Sequence, residues 1–366
     1  MCKKIYLDSP NVGVQEKEYV NNAIDAGYVS TAGPFVSEFE ERFALYLGAK
    51  AAVSTQSGTA ALHMALYELK IRAGDEVIVP AATFVATVNP VVYTGATPVF
   101  ADVDRRTWNI SPSEIKKNVN RKTKAIIPVH FYGNPCDMDE ILEIAKEHNL
   151  YVIEDAAESL GAQYKGRHTG TFGIFGCFSF NGNKIITTGG GGMVVGNDTE
   201  RLKHIKFLVN QAKDEKEEYY HPEIGFNKRM TNIESALGLA QMNRLSEFLR
   251  KKKLFNSIYR KELEGITGIR FQEEHEGARS SRWLTCIVFE EKIDVKKLQK
   301  RLEEKGIPTR RIFMPVVEFP PYRRYKKYDY KNCYEIYEKG LCLPSSTVNS
   351  ESDIYYVCET LKQAIF

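Results

Sequence analysis

Lys184 is the one charged residue between residues 169 and 197, a stretch of apolar, small and neutral polar side chains. Four consecutive glycines, residues 189–192, follow it closely. Burial lowers the pKa of a lysine from ~10.4 toward neutrality, which leaves the free amine that Schiff-base chemistry with a carbonyl requires. A lysine that lays its stem along apolar surface and keeps its charge in water shows the same pattern. The segment therefore indicates either a reactive amine or an ordinary surface lysine.

Two acidic residues, Asp155 and Glu158, follow the short apolar run at residues 151–153. If that run is a parallel strand, its carboxyl end is where sheets of this kind bind ligands. A partly buried carboxylate needs a cationic partner because desolvating it unpaired is costly, and the protonated nitrogen of a pyridine ring is such a partner. Asp155 is equally typical of a cap on a following helix. Both interpretations stay open at this point.

Ser57-Gly58-Thr59 lies between a predicted strand and a predicted helix. The exposed N–H groups and the dipole of a helix N-terminus favour a phosphate there, although a plain Ser/Thr cap explains the same residues. Residues 189–192 are not a dinucleotide loop, because neither G-x-G-x-x-G nor the P-loop G-K-[ST] is present and no helix-forming run follows directly. Glycine at these positions instead lets backbone pass close to a bound ligand.

These residues need elements that bring them together, and from about residue 50 to 200 short apolar runs alternate with helical ones. Strands are predicted at residues 51–54, 76–80, 98–101, 125–129, 151–153, 177–180 and 192–195, and helices at 59–70, 84–93 and 138–148. Such alternation indicates a mostly parallel sheet between helices. Further on, a helix at 231–263, a strand at 285–289 and helices at 295–305 and 354–365 are predicted. We place the boundary between a large domain (1–245) and a smaller C-terminal α/β domain (246–366) inside the long helix.

Composition narrows the class of protein. A chain of 366 residues exceeds the ~100–200 usual for one domain. Its seven cysteines are scattered without a C-x-x-C pair, which excludes a disulfide framework and a clustered zinc site and suits a reducing compartment. The first residues lack the apolar segment of a signal peptide, and no apolar run approaches a membrane span. We therefore expect a soluble, cytoplasmic protein with no metal.

Nucleic-acid binding is the remaining alternative that composition addresses. Residues 322–331 interleave basic and aromatic side chains, a pattern that binds single strands. The net charge of the whole chain is only +3, however, because acidic residues elsewhere nearly cancel the basic ones. A solvated surface is the simpler interpretation of the tract, so no nucleic-acid or membrane partner is expected.

Ordered motifs across residues 8–361 carry a family resemblance. They include Ser57-Gly58-Thr59-Ala60-Ala61-Leu62, Thr83-Phe84-Val85-Ala86-Thr87, Pro128-Val129-His130-Phe131-Tyr132-Gly133, Glu154-Asp155-Ala156-Ala157, Ser179-Phe180 with Lys184, and Gly225-Phe226-Asn227 with Arg229. In this order the chain resembles the sugar aminotransferases of the DegT/DnrJ/EryC1/StrS family. The resemblance implies an aspartate-aminotransferase-like α/β fold (fold type I) and pyridoxal 5′-phosphate (PLP) as cofactor.

The resemblance also implies catalytic roles. Lys184 is similar to the lysine that holds the cofactor as a Schiff base and then moves a proton between the substrate carbon and the cofactor. Asp155 resembles the carboxylate that keeps the pyridine nitrogen protonated, so that the ring can accept electrons. Two positions depart from the usual family pattern: Glu158 stands where glutamine is frequent, and Gly190 where glutamate is frequent.

The other implied contacts are with the cofactor and the substrate. Phe84 resembles the aromatic residue that stacks on the ring, and Glu158 is a further candidate near the cofactor. Gly58, Thr59 and Ser179 resemble phosphate ligands. Asn227 is similar to a residue that reaches the phosphate from the second subunit of a homodimer. Arg229 resembles one that approaches the diphosphate of a nucleotide sugar, a task that suits its forked charge.

Within the family, residues 181–189 look most similar to enzymes that aminate C4 of nucleotide-linked 4-keto-6-deoxyhexoses. The resemblance favours UDP-2-acetamido-2,6-dideoxy-4-keto-hexose as the acceptor and glutamate as the donor. An enzyme of the perosamine type, acting on GDP-4-keto-6-deoxymannose, is the alternative. A non-catalytic, PLP-bound regulator is an alternative from another class, against which the presence of both Lys184 and Asp155 argues. Lys184 likewise argues against a deoxygenating relative that has histidine at this position.

Overall fold

A computed structural model of the protein describes residues 4–214, 216–217, 219–266, 268–291 and 293–365. Its strands are β1 (Ala51–Thr55), β2 (Glu76–Pro80), β3 (Thr97–Ala101), β4 (Thr123–Ile126), β5 (Tyr151–Asp155), β6 (Gln163–Tyr164), β7 (Arg167–His168), β8 (Phe175–Ser179), β9 (Gly192–Gly196), β10 (Ile269–Phe271), β11 (Ala278–Arg279), β12 (Thr285–Phe289), β13 (Arg310–Arg311) and β14 (Gly340–Leu343). Its α-helices are α1 (Val14–Asp25), α2 (Pro34–Leu47), α3 (Gly58–Glu68), α4 (Asn89–Tyr93), α5 (Pro112–Asn118), α6 (Met138–Glu147), α7 (Thr199–Val209), α8 (Asn232–Leu263), α9 (Val295–Glu304), α10 (Lys331–Lys339) and α11 (Glu351–Ile365).

A seven-stranded sheet with the order β1-β9-β8-β5-β4-β2-β3 is the centre of the larger part of the molecule. Neighbours from β3 to β8 are parallel, whereas β9 runs antiparallel to both β8 and β1. Side chains alternate between two cores: Val77 and Val79 of β2 face one, and Ile78 faces the other. Both faces of the sheet are therefore covered, which explains the nearly continuous apolar strands. The predicted α/β fold with a mostly parallel sheet is confirmed.

The C-terminal part is built on the antiparallel sheet β10-β12-β14-β13. A separate core lies between this sheet and helices α8, α9 and α11. Helix α8 begins with a capping box of Thr231 and Glu234, and it runs for 32 residues through both parts. Phe248 of this helix packs in the first core and Phe255 in the C-terminal one. The division into domains at residue 245 stays a prediction.

The N-terminal residues before α1 are hydrogen-bonded to the C-terminal part. The Tyr6 amide donates to Asn349 Oδ1 at 2.9 Å, and the Ser345 amide donates to the Leu7 carbonyl at 2.7 Å. The Ser346 hydroxyl donates to the Ser9 carbonyl at 2.7 Å. These contacts hold the short segment around Asp8 against residues that are more than three hundred positions away in the sequence.

One predicted helix is divided in the structure. Residues 84–93 were expected to form a single helix, but a 3-10 turn at Val85–Thr87 is followed by a separate helix, α4. Pro90 lies in the first turn of α4, the place in a helix where a residue without an amide hydrogen is tolerated. The prediction of one continuous helix was wrong because helical spacing does not show this break.

Candidate active site

The carboxyl ends of β1, β5 and β8 meet at one edge of the large sheet, where a cavity of about 220 Å³ lies. This is the edge at which parallel sheets bind ligands. Seven of the nine predicted site residues line the cavity: Gly58, Thr59, Phe84, Asp155, Glu158, Ser179 and Lys184. The fold thus brings together residues that are more than one hundred positions apart.

Lys184 lies in the loop between β8 and β9, and its amine lies inside the cavity. Its side chain is 14% exposed, Nζ is 3.9 Å from Glu158 Oε1, and Nζ also lies 3.9 Å from the centre of the Trp283 ring. Burial lowers the pKa of the Lys184 amine, although the carboxylates of Glu158 and Asp155 oppose this shift. Its burial and its place in the cavity make the Lys184 amine the candidate base or nucleophile of this site.

Asp155 is the last residue of β5 and is buried. Thr87 Oγ1 donates to its Oδ2 at 2.7 Å, and the Ala157 amide donates to its Oδ1 at 3.1 Å. Burial raises the pKa of Asp155, while both hydrogen bonds and the charge of Lys184 act in the opposite direction. No helix follows directly, since the next element is strand β6, so the interpretation of Asp155 as a helix cap was wrong.

Glu158 is a second buried carboxyl group in the cavity, 4% exposed. Its Oε2 accepts a hydrogen bond from the Tyr132 amide at 2.7 Å, which directs Oε1 toward Lys184. Burial raises the pKa of Glu158 to about 7, even though Lys184 and the Tyr132 amide favour the ionised form. Glu158 therefore changes its charge near neutral pH beside the candidate amine.

The N-terminus of α3 forms another wall of the cavity. The Ser57 hydroxyl accepts from the Ala60 amide at 3.0 Å and so caps the helix. Gly58 and Thr59 are the first two residues of α3, so their amides have no carbonyl partner within the helix. They are therefore suited to bind an anion. Ser179, at the end of β8, lines the cavity next to Gly58. The Ser57 cap and the candidate anion site thus lie in the same turn.

Gly58→Ala is expected to weaken both cofactor binding and folding. An added Cβ would lie 2.8 Å from Ser179 Cβ and 3.3 Å from the Phe178 carbonyl, so α3 would have to move away from β8. Such overpacking costs about 1–3 kcal/mol of unfolding free energy. Urea denaturation measures the loss of stability, and the Kd for PLP, the cofactor that the resemblance implies, measures the loss of binding. Gly182→Ala is the control because its Cβ would meet nothing within 4 Å; equal losses in both variants would contradict the prediction.

Several residues of the cavity were not predicted from the sequence. Trp283, Arg310 and Phe313 come from the C-terminal part of the chain and line the same space as Lys184. The Tyr132 ring stacks with Phe313 and with Trp283, at centroid distances of 5.5 and 5.9 Å. Phe84 is 53% exposed, and its ring lies 5.6 Å from that of Phe313. One available signal was that Trp283 is one of only two tryptophans in the chain.

Asn227 and Arg229 do not line the cavity of this chain. Asn227 is exposed and forms an isolated β-bridge with Asn210. Arg229 Nε is buried and has no hydrogen-bond partner among the described residues. The two residues therefore lie outside the site that the other seven form, and a role in it would have to come through a second copy of the chain.

Comparison with known proteins identifies the family. Residues 10–362 match the sequence profile of the DegT/DnrJ/EryC1/StrS aminotransferase family. The chain belongs to this family. GDP-perosamine synthase of Escherichia coli O157:H7 is 41% identical over 362 residues, which is 99% of this chain and 98% of the relative. GDP-perosamine synthase of Caulobacter vibrioides is 41% identical over 366 residues, with 99% and 98% covered.

Solved structures of relatives agree with this assignment. Spr1654 from Streptococcus pneumoniae, in its PLP form, has a TM-score of 0.93 at 28% identity, with 99% of this chain and 98% of that one covered. The same protein has been solved in a PMP form. This member of the DegT/DnrJ/EryC1/StrS family is therefore a sugar aminotransferase, and its cofactor is PLP.

The cavity fits this cofactor by the chemistry of its walls. It offers an amine for an aldehyde (Lys184), a buried carboxylate for a pyridine nitrogen (Asp155) and a helix N-terminus for a phosphate (Gly58 and Thr59). Among the described residues there is no group of His, Cys, Asp or Glu side chains able to hold a metal ion. Within the same residues, no helix combines the length and the apolar character that crossing a membrane requires.

Proposed function

We propose that this sugar aminotransferase transfers the amino group of glutamate to C4 of GDP-4-keto-6-deoxymannose. The observation that carries the proposal is the 41% identity to two GDP-perosamine synthases over 98% of each relative. The resemblance of residues 181–189 to C4-aminating enzymes agrees with the position of amination. No comparison favours the UDP-linked substrate that this segment led us to expect, so the GDP sugar takes precedence.

The proposed roles follow from the contacts in the cavity. When bound, the cofactor supplies an aldehyde that takes up amino groups and a ring that withdraws electrons from the substrate carbon. Lys184 would hold the cofactor and, as a free amine, take up and return a proton at that carbon. Asp155, fixed by Thr87, would keep the pyridine nitrogen protonated. Phe84 would stack on the ring, and Glu158 would adjust the charge state of the Lys184 amine.

A substrate panel tests the proposal. The purified holoenzyme is incubated with glutamate and either GDP-4-keto-6-deoxymannose, UDP-2-acetamido-2,6-dideoxy-4-keto-hexose or a dTDP-linked 4-keto sugar. We expect kcat/KM to be highest for the GDP sugar, with the amine at C4 identified by NMR. A preference for the UDP sugar would overturn the choice of nucleotide and restore the substrate that the resemblance of residues 181–189 led us to expect. Replacing glutamate with other amino acids tests the donor.

Glu158→Gln is expected to lower the pKa of Lys184 further. The Glu158 carboxyl is neutral below and ionised above its pKa of about 7, and the ionised form opposes the effect of burial on Lys184. Without that charge, the neutral amine should persist to lower pH. The pH dependence of Lys184 modification in the apoprotein, read by peptide mass, measures this. Lys228 is the internal reference: it lies outside the cavity, and burial lowers its pKa to about 8. If the pH profile of Lys184 modification is the same in Glu158→Gln as in the wild type, the prediction is contradicted.

We also propose that the active site is shared between two subunits of a homodimer. The support is that Asn227 and Arg229 match family positions that reach a partner's cofactor and substrate, while neither lines the cavity of its own chain. The unpaired Arg229 Nε is consistent with this arrangement.

Mixed dimers test the shared site. Lys184→Ala dimers should be inactive and Asn227→Ala/Arg229→Ala dimers badly impaired. Refolding equal amounts together yields hybrids in about half of the dimers, each with one intact site, so about a quarter of the wild-type activity should return. If mass analysis confirms hybrids that remain inactive, Asn227 and Arg229 are ordinary loop residues.

A further inference from the structure

A guanidinium belongs to the wall of the active-site cavity. Arg310, the first residue of β13, lines the same space as Lys184, and its side chain is 39% exposed. The other charged side chains among the described lining residues are Asp155, Glu158 and Lys184. With Lys184 assigned to the cofactor, Arg310 is the cation that remains available for an anionic ligand.

Among the described residues, the carboxylate of Asp8 is the group that pairs with Arg310. Arg310 Nη2 donates to Asp8 Oδ2 at 2.9 Å, and Asn183 Nδ2 donates to the same oxygen at 2.9 Å. The Asp8 side chain is 13% exposed. Through these two hydrogen bonds it connects the N-terminal segment to the Lys184 loop and to β13. The bond to Asp8 occupies one of the five N–H donors of the guanidinium, so an edge of the fork remains for a ligand.

We propose that Arg310 binds the α-carboxylate of the amino-acid donor and that Asp8 positions its guanidinium. The α-carboxylate is attached to the carbon that carries the reacting nitrogen, so it must lie inside the cavity when that nitrogen reaches the cofactor. The proposal rests on the assignment of Lys184 as the cofactor lysine, but not on the identity of the sugar.

The charge of Arg310 also reaches the reacting groups. It lowers the pKa of both Lys184 and Glu158. In each case this effect is smaller than those of burial and of the other neighbouring groups. A donor carboxylate on Arg310 would offset that charge when the donor enters. Arginine suits this role better than lysine because its planar fork can form two parallel hydrogen bonds to one carboxylate.

Arg310→Gln tests the proposal, with Arg311→Gln as the matched control. Arg311 is the next residue of the same strand, but it donates to the Tyr337 carbonyl at 2.8 Å and lies over the Tyr337 ring, outside the cavity. Calorimetry on the holoenzyme measures the Kd of glutarate, a dicarboxylate without an amine. Stopped-flow absorbance measures the conversion of the cofactor to its amine form by glutamate, with no sugar present.

We expect Arg310→Gln to raise both the glutarate Kd and the glutamate concentration for half-maximal conversion by about 10- to 100-fold. This is the usual effect of losing a hydrogen bond to a charged group. Arg310→Lys should recover part of this loss, and Arg311→Gln should behave as wild type. Asp8→Asn should raise the half-saturating glutamate concentration with little change in the maximal conversion rate, and Asp8→Glu should restore it in part. That split distinguishes positioning of the guanidinium from a general loss of structure.

Three results would overturn the proposal. An unchanged glutarate Kd in Arg310→Gln would mean that the guanidinium does not bind the donor. Weaker PLP binding with unchanged donor conversion would assign Arg310 to the cofactor phosphate. A defect confined to the reaction of the amine-form enzyme with nucleotide sugar would assign it to the diphosphate. Because donor conversion needs no sugar, rejection of the GDP-sugar proposal would leave this measurement intact.

Discussion

Lys184→Ala is expected to abolish turnover, with a loss of about 10⁴-fold or more, because no other amine lines the cavity in the described part of the chain. The wild-type holoenzyme should be yellow, and borohydride reduction should attach the cofactor to the peptide that contains Lys184. The variant should still bind PLP through Asp155 and the N-terminus of α3, but reduction should leave no label. Absorbance and peptide mass measure both outcomes.

Two controls separate the loss of the amine from the loss of a positive charge. Lys184→Arg keeps a cation beside Glu158, but a guanidinium stays protonated and offers no free amine, so this variant should be as inactive as Lys184→Ala. Lys228→Ala removes a lysine whose pKa burial also lowers, to about 8, but which lies outside the cavity. It should label normally at Lys184. Recovery of the label on Lys228 or any other lysine would refute the assignment.

Asp155→Asn is expected to keep the fold and to lower kcat by about 10²- to 10³-fold, the usual loss when one strong electrostatic contact to the reacting system is removed. Asparagine occupies the same space at the end of β5 and can still accept from Thr87, but it has no negative charge with which to keep a pyridine nitrogen protonated. Steady-state kinetics and circular dichroism measure the two effects. Near-normal turnover would show that Asp155 only terminates the strand.

Thr87→Val is the milder companion to that variant. The Thr87 hydroxyl lowers the pKa of Asp155 against the raising effect of burial, so its removal should raise that pKa. On acidification the Asp155 carboxylate is then protonated at a higher pH. The acidic limb of the pH–kcat profile should therefore shift to higher pH. A profile identical to that of the wild type would mean that Asp155 is not the group that sets this limb.

Local patterns predicted a large share of the fold and of the candidate site. The strand at residues 76–80 and the strand at 285–289 coincide with β2 and β12, because apolar runs bounded by turn residues report burial directly. The single helix predicted at 84–93 is not formed, because a new helix begins at Asn89 with Pro90 in its first turn. Asp155 and Glu158 were expected at the ligand-binding edge because they follow a predicted parallel strand, and the carboxyl ends of such strands form that edge.

The sequence by itself determined the family and the cofactor through the resemblance of its ordered motifs, and residue type and local context made Lys184 and Asp155 the candidate amine and carboxylate. Only the tertiary structure decided which distant side chains surround them. Trp283 lies against the Lys184 amine, and Asp8 accepts hydrogen bonds from Asn183 and from Arg310, which lie 175 and 302 positions away in the sequence. The spacing of apolar residues shows which face of a helix or strand is buried. Contacts between separate segments depend on how those elements pack, and no local spacing encodes that packing.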